Sequence, residues 1–226
     1  MNIAVKLGGF VFKEKLEPTV VKSFAAVLRQ LHERGHRLVV VAGGGANARS
    51  YIEAARSLGA NEAICDLLGI YSSRLNARIL IVAIGEPAAY PEVPSTVEGM
   101  QEFFSSGKIV VMGGLQPAHS TDAVAAIVAE AIASDCFIKV TDAPGVCTKD
   151  PSKYPDAKKL DQIHVDRLLE LVSATPVSAG AYELIDPVAV RVIQRSRLRT
   201  SIIPGDNPRN ILRAVNEENV GTKITF

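Results

Sequence analysis

Short aliphatic runs alternate along the chain with longer stretches whose apolar residues recur every three or four positions. Asn2–Leu7, Arg37–Val41, Ile109–Met112 and Cys136–Thr141 are runs of the first kind, apolar on both faces as buried strands are. Pro18–Arg34 is of the second kind. Val20, Val21, Phe24, Val27, Leu28 and Leu31 fall on one side of a helix that Gly35 stops. Ala46–Leu58, closed by Gly59, and Asn61–Val82, interrupted only by Gly69, read as two further helices, and Thr121–Ala133 as another. Pro87, Pro91 and Pro94 mark an irregular connection. Strands alternating with helices predict an α/β fold with a mostly parallel sheet covered on both faces.

The later part of the chain changes in character. Thr148–Lys159 is polar, contains Pro151 and Pro155, and reads as an exposed loop or hairpin. Val165–Val172 predicts a short helix. Asp186-Pro187 is a cap followed by proline at the first helical position, opening a helix to about Arg195. Asn207-Pro208 repeats the device, and Thr200–Ile203 and Thr222–Thr225 read as short strands. Neither a linker nor a fixed-period repeat divides the sequence.

Composition narrows the class. Apolar residues make up 47% of the 226 positions and aromatics 5%, so the core is aliphatic. The net charge of +1 points to neither nucleic acid nor an anionic membrane surface. The longest apolar runs are about six residues, against the ~20 that a membrane span needs. MNIAVKLGG carries no basic segment followed by a long apolar one, so no secretion signal is expected. Cys65, Cys136 and Cys147 are odd in number and lack C-x-x-C spacing, as thiols of a reducing cytoplasm would. His32, His36, His119 and His164 do not fall at metal-ligand spacing.

The chemistry lies in the turns. Glycines follow three strands at equivalent places: Gly8-Gly9, Gly43-Gly44-Gly45 and Gly113-Gly114. Glycine there makes a tight turn, and it also lets backbone N–H groups approach an anion at the end of a parallel sheet. One such turn is explained by tightness alone; three on one edge point to phosphates. The helix after Gly45 adds its positive end. Lys6 stands inside an aliphatic strand, where a lysine is costly unless paired. Arg49 follows Gly45 by one helical turn. Ser120, Thr121 and Asp122 sit at the mouth of a helix, where the hydroxyls can cap it and Asp122 can hold Lys6 or a Mg²⁺ ion.

Known signatures compete unevenly. G-x-x-x-x-G-K-[ST] is absent. Gly43-x-Gly45-x-x-Ala48 after a strand, with Glu62 and Asp66 further on, matches the dinucleotide pattern, but it accounts for neither Lys6 nor the other turns. His119, Ser120 and Asp122 imitate a hydrolase triad without a G-x-S-x-G elbow.

VKLGG, AGGGANARSYIEAARSLG, DLLGIYSSRLNA, MGGLQPAHSTDAVAA, GVCTKDP and SAGAYELIDPVAVRVIQRS occur in that order over essentially the whole chain. Together they resemble the amino acid kinase superfamily and, within it, the archaeal-type uridylate (UMP) kinases. The resemblance implies a three-layer α/β/α sandwich in one domain, with residues up to about 134 holding the acceptor UMP and those from about 135 holding the donor ATP. It places Lys6, Gly8 and Gly9 along the transferred phosphates, Gly44 on UMP, and Gly45 and Arg49 on the ATP phosphates. Asp66 receives the UMP ribose. Gly114, Leu115, Gln116, Pro117, Ala118, His119, Ser120 and Thr121 wrap its base and phosphate. Asp122 organises the catalytic cation, Mg²⁺, and Thr141, Cys147 and Asp150 surround the adenosine. It also implies a cytoplasmic hexamer built from dimers.

The chain departs from that pattern in one loop. Where the related kinases usually read TNVDGVY, residues 141–147 read TDAPGVC, closer to acetylglutamate-type members. Ala118 replaces a usual glycine, and Lys139 is an unusual charge near the end of a core strand, read as a phosphate ligand rather than a snorkelling side chain. The expected reaction is UMP plus ATP giving UDP and ADP. A kinase of a carboxylate, a non-catalytic nucleotide or oxyanion binder, and a dinucleotide-dependent oxidoreductase are the competing readings.

Overall fold

The computed structural model describes residues 1–149, 154, 156–173 and 184–226. In chain order the strands are β1 (Asn2–Leu7), β2 (Arg37–Ala42), β3 (Val110–Met112), β4 (Cys136–Thr141), β5 (Gln162–His164), β6 (Thr200–Pro204) and β7 (Thr222–Thr225). The helices are α1 (Pro18–Glu33), α2 (Gly45–Ser57), α3 (Glu62–Ile84), α4 (Val97–Ser105), α5 (Thr121–Ala131), α6 (Val165–Ser173), α7 (Pro187–Ser196) and α8 (Asn210–Val215). One seven-stranded sheet runs in the order β3-β2-β1-β4-β6-β7-β5, parallel except where β7 meets β6.

Alternation along the strands builds two core layers. Ile3, Val5 and Leu7 join Leu38, Val40 and Ile138 against α1, α3 and α8. Ala4 joins Val39, Val41 and Phe137 against α4, α5, α6 and α7. The result is the expected α/β/α sandwich.

Most predicted elements stand within a few residues of their expected ends. Asp186 caps α7 by accepting from the Val188 N–H, with Pro187 first in the helix. Cys147 and Lys159 pair antiparallel across the polar loop, much of which lies outside the described residues. Three differences have local causes. After the proline-rich connection Thr96 accepts from the Gly99 N–H and opens α4, which buries Met100 and Phe104 one turn apart. β5 is a three-residue edge strand, too short to carry a pattern. The Asn207 side chain accepts from the Arg209 N–H and spends the Asn-Pro step on a turn, so α8 starts at Asn210.

Helix α3 combines short apolar runs into one long, predominantly apolar helix. Its length and mean hydropathy of 1.4 over 18 residues would suffice to cross a bilayer. It instead packs against α1, α2, β2 and β3, and it buries Ser72, Ser73 and Asn76.

Candidate active site

β3, β2, β1 and β4 lie side by side and parallel, so the turns at Gly113-Gly114, Gly43–Gly45 and Gly8-Gly9 and the 142–147 loop share one edge of the sheet. The chain builds outward from β1 to β3, then returns to place β4 on the other side of β1. A reversal of strand order leaves a crevice between the two diverging connections.

Lys6 and Lys139 are register partners across that reversal, on the face that packs against α5. Asp122 enters between them from the first turn of α5. Lys6 Nζ lies 3.1 Å from its Oδ1, and Lys139 Nζ donates to its Oδ2 at 2.5 Å. The three residues, Lys6, Lys139 and Asp122, are 8%, 3% and 7% exposed. The Lys6 contact is an ion pair without hydrogen-bond alignment, so Oδ1 keeps an unused acceptor site among the described residues. Burial alone would raise the Asp122 pKa; the charges of Lys139 and Lys6 and the hydrogen bond from Lys139 outweigh it and hold the carboxyl down at about 2. Lys139 moves the other way. Burial, reinforced by the neighbouring Lys6 charge, lowers it from 10.5 to about 8 despite Asp122. Two ammonium groups share one carboxylate, leaving one positive charge unbalanced in a buried place.

Glycine turns lie along the same edge of the sheet. Gly45 has φ +73°, and a Cβ there would sit 2.2 Å from the Phe12 carbonyl oxygen, so only glycine fits. Gly8 N–H donates to Val140 O and Gly43 N–H to Leu7 O, which ties the loops to one another. The N–H groups of Gly9, Gly44 and Gly45 have no partner among the described residues. The glycines therefore serve the packing of loop on loop and leave free donors as well.

The loop from Gly114 to Thr121 is held from several directions. Asp66 Oδ2 accepts the Ala118 N–H at 2.9 Å, and Ala118 takes φ +64°. Gln116 Nε2 and His119 Nδ1 pair at 2.9 Å. Ser120 caps α5 by accepting from the Ala123 N–H. A cavity of about 180 Å³ lies between Gly44, Asp66, Ile70, Gly114, Ser120 and Thr121. Leu115 and Pro117 of the same loop are half-buried. On the other side, Arg49 is exposed on α2 with no ion-pair partner among the described residues. Thr141 ends β4, and its carbonyl accepts from Gly205 N–H. Cys147 is buried, its thiol 4.0 Å from Gly145 O. Asp150 lies outside the described residues.

The competing patterns do not assemble. Glu62 forms a two-pronged surface pair with Arg56, away from the turn it would serve in a dinucleotide fold. His119, Ser120 and Asp122 face Gln116, the α5 backbone and the lysines respectively, so no triad exists. Lys139 does not snorkel; it is the third member of the buried cluster. Arg74, Ser73 and Asn76 were not singled out from the sequence. Their only signal is a polar run, SSRLN, inside an otherwise apolar helix.

The family comparison agrees with the geometry. The profile of the amino acid kinase family matches residues 1–204. A uridylate kinase of Methanothermobacter thermautotrophicus is 44% identical over 224 residues, covering 99% of both chains. One of Hyperthermus butylicus is also 44% identical, covering 99% of this chain and 97% of its own. The crystal structure of uridylate kinase from Archaeoglobus fulgidus superposes with a TM-score of 0.87 at 38% identity, over 99% of each chain. The chain belongs to the amino acid kinase family.

Proposed function

We propose that this chain transfers the terminal phosphoryl group of ATP to UMP, giving UDP and ADP. The observation that carries the reading is the Lys6–Asp122–Lys139 cluster: one uncompensated buried positive charge at the edge where unpaired glycine amides converge. An uncompensated buried charge is costly by itself, and a bound phosphate relieves it. The uridylate kinase relatives name the acceptor.

In this reading the UMP phosphate is the nucleophile and is already ionised at neutral pH. Lys6 and Lys139 flank the group in flight, and the Gly9, Gly44 and Gly45 amides donate to its oxygens. Asp122 touches no substrate; it positions both lysines. Asp66 and residues 114–121 hold UMP in the 180 Å³ cavity. Arg49 meets the ATP phosphates, and Thr141, Cys147 and Asp150 line the adenosine side. The described residues do not form a magnesium site of their own: no group of three acidic, His or Cys side chains occurs, and both Asp122 oxygens face ammonium groups. Mg²⁺ would ride on the nucleotide oxygens.

The chain works as one domain with an acceptor half and a donor half, joined by the β1–β4 pairing. It assembles through α3, whose Ile64, Tyr71, Leu75 and Val82 make an exposed apolar stripe that, with the exposed Tyr51 of α2 and Leu58 just after it, is suited to a second copy within a hexamer of dimers. Its three thiols are free and buried, as in the cytoplasm.

A coupled ADP-release assay with Mg²⁺-ATP, offering UMP, CMP and N-acetylglutamate separately, tests the reaction. Turnover with UMP and not N-acetylglutamate is expected. Turnover only with the carboxylate, or nucleotide binding without any turnover, would overturn it.

A further inference from the structure

We propose that one turn of α3, Ser72–Asn76, is a positioning element that sets the spacing between the donor-side glycine turn and the acceptor loop, with Asn76 as its central residue. The proposal rests on the kinase reading above, because it concerns where that reading's two substrates are held.

The turn reaches both loops at once. Asn76 Nδ2 donates to Gly43 O at 2.8 Å and to Gly44 O at 2.9 Å, and Ser72 Oγ donates to the same Gly44 O at 3.0 Å. On the same turn, Ser73 Oγ accepts the Gly114 N–H at 2.8 Å while donating to Ile70 O at 2.7 Å. Arg74 Nε donates to Gly114 O at 2.9 Å and its Nη2 to Leu115 O at 3.1 Å. Ser72, Ser73 and Asn76 are all buried. Gly113 completes the contact: a Cβ there would sit 2.6 Å from Arg74 N, so the acceptor loop lies directly on the helix backbone.

The consequence is directional. Each peptide unit points its N–H opposite to its carbonyl. Holding the Gly43 and Gly44 carbonyls back toward α3 aims the following amides, those of Gly44 and Gly45, away from the helix. Those are the unpartnered amides at the site. The same helical turn fixes the carbonyls of Gly114 and Leu115. A rigid helix therefore sets both ends of the distance across which phosphoryl transfer occurs. Reacting groups must lie within about 3–3.5 Å of each other, and a misplacement of about 1 Å can lower the rate about 100-fold.

The test compares Asn76→Asp, Asn76→Ala and Arg74→Met with the wild type. Asn76→Asp keeps the shape and replaces the donor by an acceptor facing two carbonyls. It is expected to lower kcat at least 10-fold, as much as or more than Asn76→Ala, with the calorimetric affinity for UMP changed less than 3-fold. Arg74→Met, half-buried at the acceptor end, is expected to raise the KM for UMP about 10-fold and leave that for ATP unchanged. Melting curves establish that each variant is folded; should both Asn76 variants fail to fold, the Arg74→Met split decides. Equal kcat for Asn76→Asp and wild type, or equal KM shifts for both substrates in Arg74→Met, would overturn the proposal. A wild type that turns over no UMP would instead overturn the kinase reading.

Discussion

Replacing Lys139 by methionine separates what this residue does for the reaction from what it does to the fold. Its ammonium is buried between β4 and α5, and burial lowers its pKa from 10.5 to about 8. At about 1.4 kcal/mol per pH unit, that gap means the charged form is disfavoured in the folded chain by about 3 kcal/mol. Methionine has similar length and no charge. The substitution also removes a donor from Asp122 Oδ2, an attraction that the lowered pKa already includes. Asp122 is not left alone, because Lys6 remains 3.1 Å from Oδ1. The net effect therefore favours the uncharged side chain, and Lys139→Met at pH 7 is expected to melt at or above the wild-type temperature. Its turnover should fall about 100-fold, the scale of losing one stabilising group at a developing charge.

The pH dependence gives the comparison its sign. Between about 8 and 10.5 the unfolded wild type holds a proton that the folded chain has released. Wild-type stability relative to the Lys139→Met variant therefore rises with pH through that window. Wild-type kcat/KM, which reports the free enzyme, falls as pH passes about 8, because the ammonium it needs is lost. Stability and activity move in opposite directions. The assays are melting curves of both proteins from about pH 7 to 10 and initial rates over the same range. A variant that melts ~6 °C or more below wild type at pH 7, equivalent to a few kcal/mol at this size, would refute the charge argument. Undiminished turnover would refute the role in catalysis.

Other substitutions probe the remaining parts. Arg49→Ala should raise the KM for ATP and spare UMP binding, since the side chain is exposed and bound to nothing among the described residues; a change confined to UMP would overturn its placement. Ala118→Gly relieves a left-handed alanine at about 1–2 kcal/mol but adds unfolded-chain freedom worth about 0.4–1 kcal/mol. Its melting temperature should therefore rise by no more than a few degrees, and a drop would show that the methyl group packs. Leu75→Glu, at a position 64% exposed, should reduce the assembly mass seen by light scattering. An unchanged mass would remove α3 from the interface.

Local signals were legible because they are local. The strand runs, the Asp186-Pro187 start and the stops at Gly35 and Gly59 each depend on a few neighbouring residues, and each stands where expected. α4 was hidden by its own approach: three prolines read as a loop, while the cap at Thr96 lies immediately beyond them. Of the site, the glycine turns, Lys6 and Asp122 could be picked out one by one. What could not be read was their arrangement. Lys6 and Lys139 become neighbours only because β4 pairs with β1, a long-range choice that no spacing encodes. Asn76 was invisible for a related reason. A polar residue in an apolar helix signals a partner without saying which, and its partners are carbonyls of a loop 32 and 33 residues away.

The pKa values also limit how the site can work. A carboxylate held down at about 2 takes up almost no proton near neutrality, so Asp122 is no general base. Its value lies in staying charged. Without it two buried ammonium groups would face each other on adjacent strands; with it they are drawn to one point and still leave a surplus of one charge. That surplus cannot be matched by adding a second carboxylate without losing affinity for phosphate. The cost is therefore intrinsic to the function, and it is concentrated at the reversal of strand order. There the crevice exists for topological reasons, and α3 and α5 hold the surrounding loops from either face of the sheet. On the proposed reading, catalysis follows from fixed charge and fixed spacing, and the residues that set the spacing, Asn76 above all, need never touch a substrate.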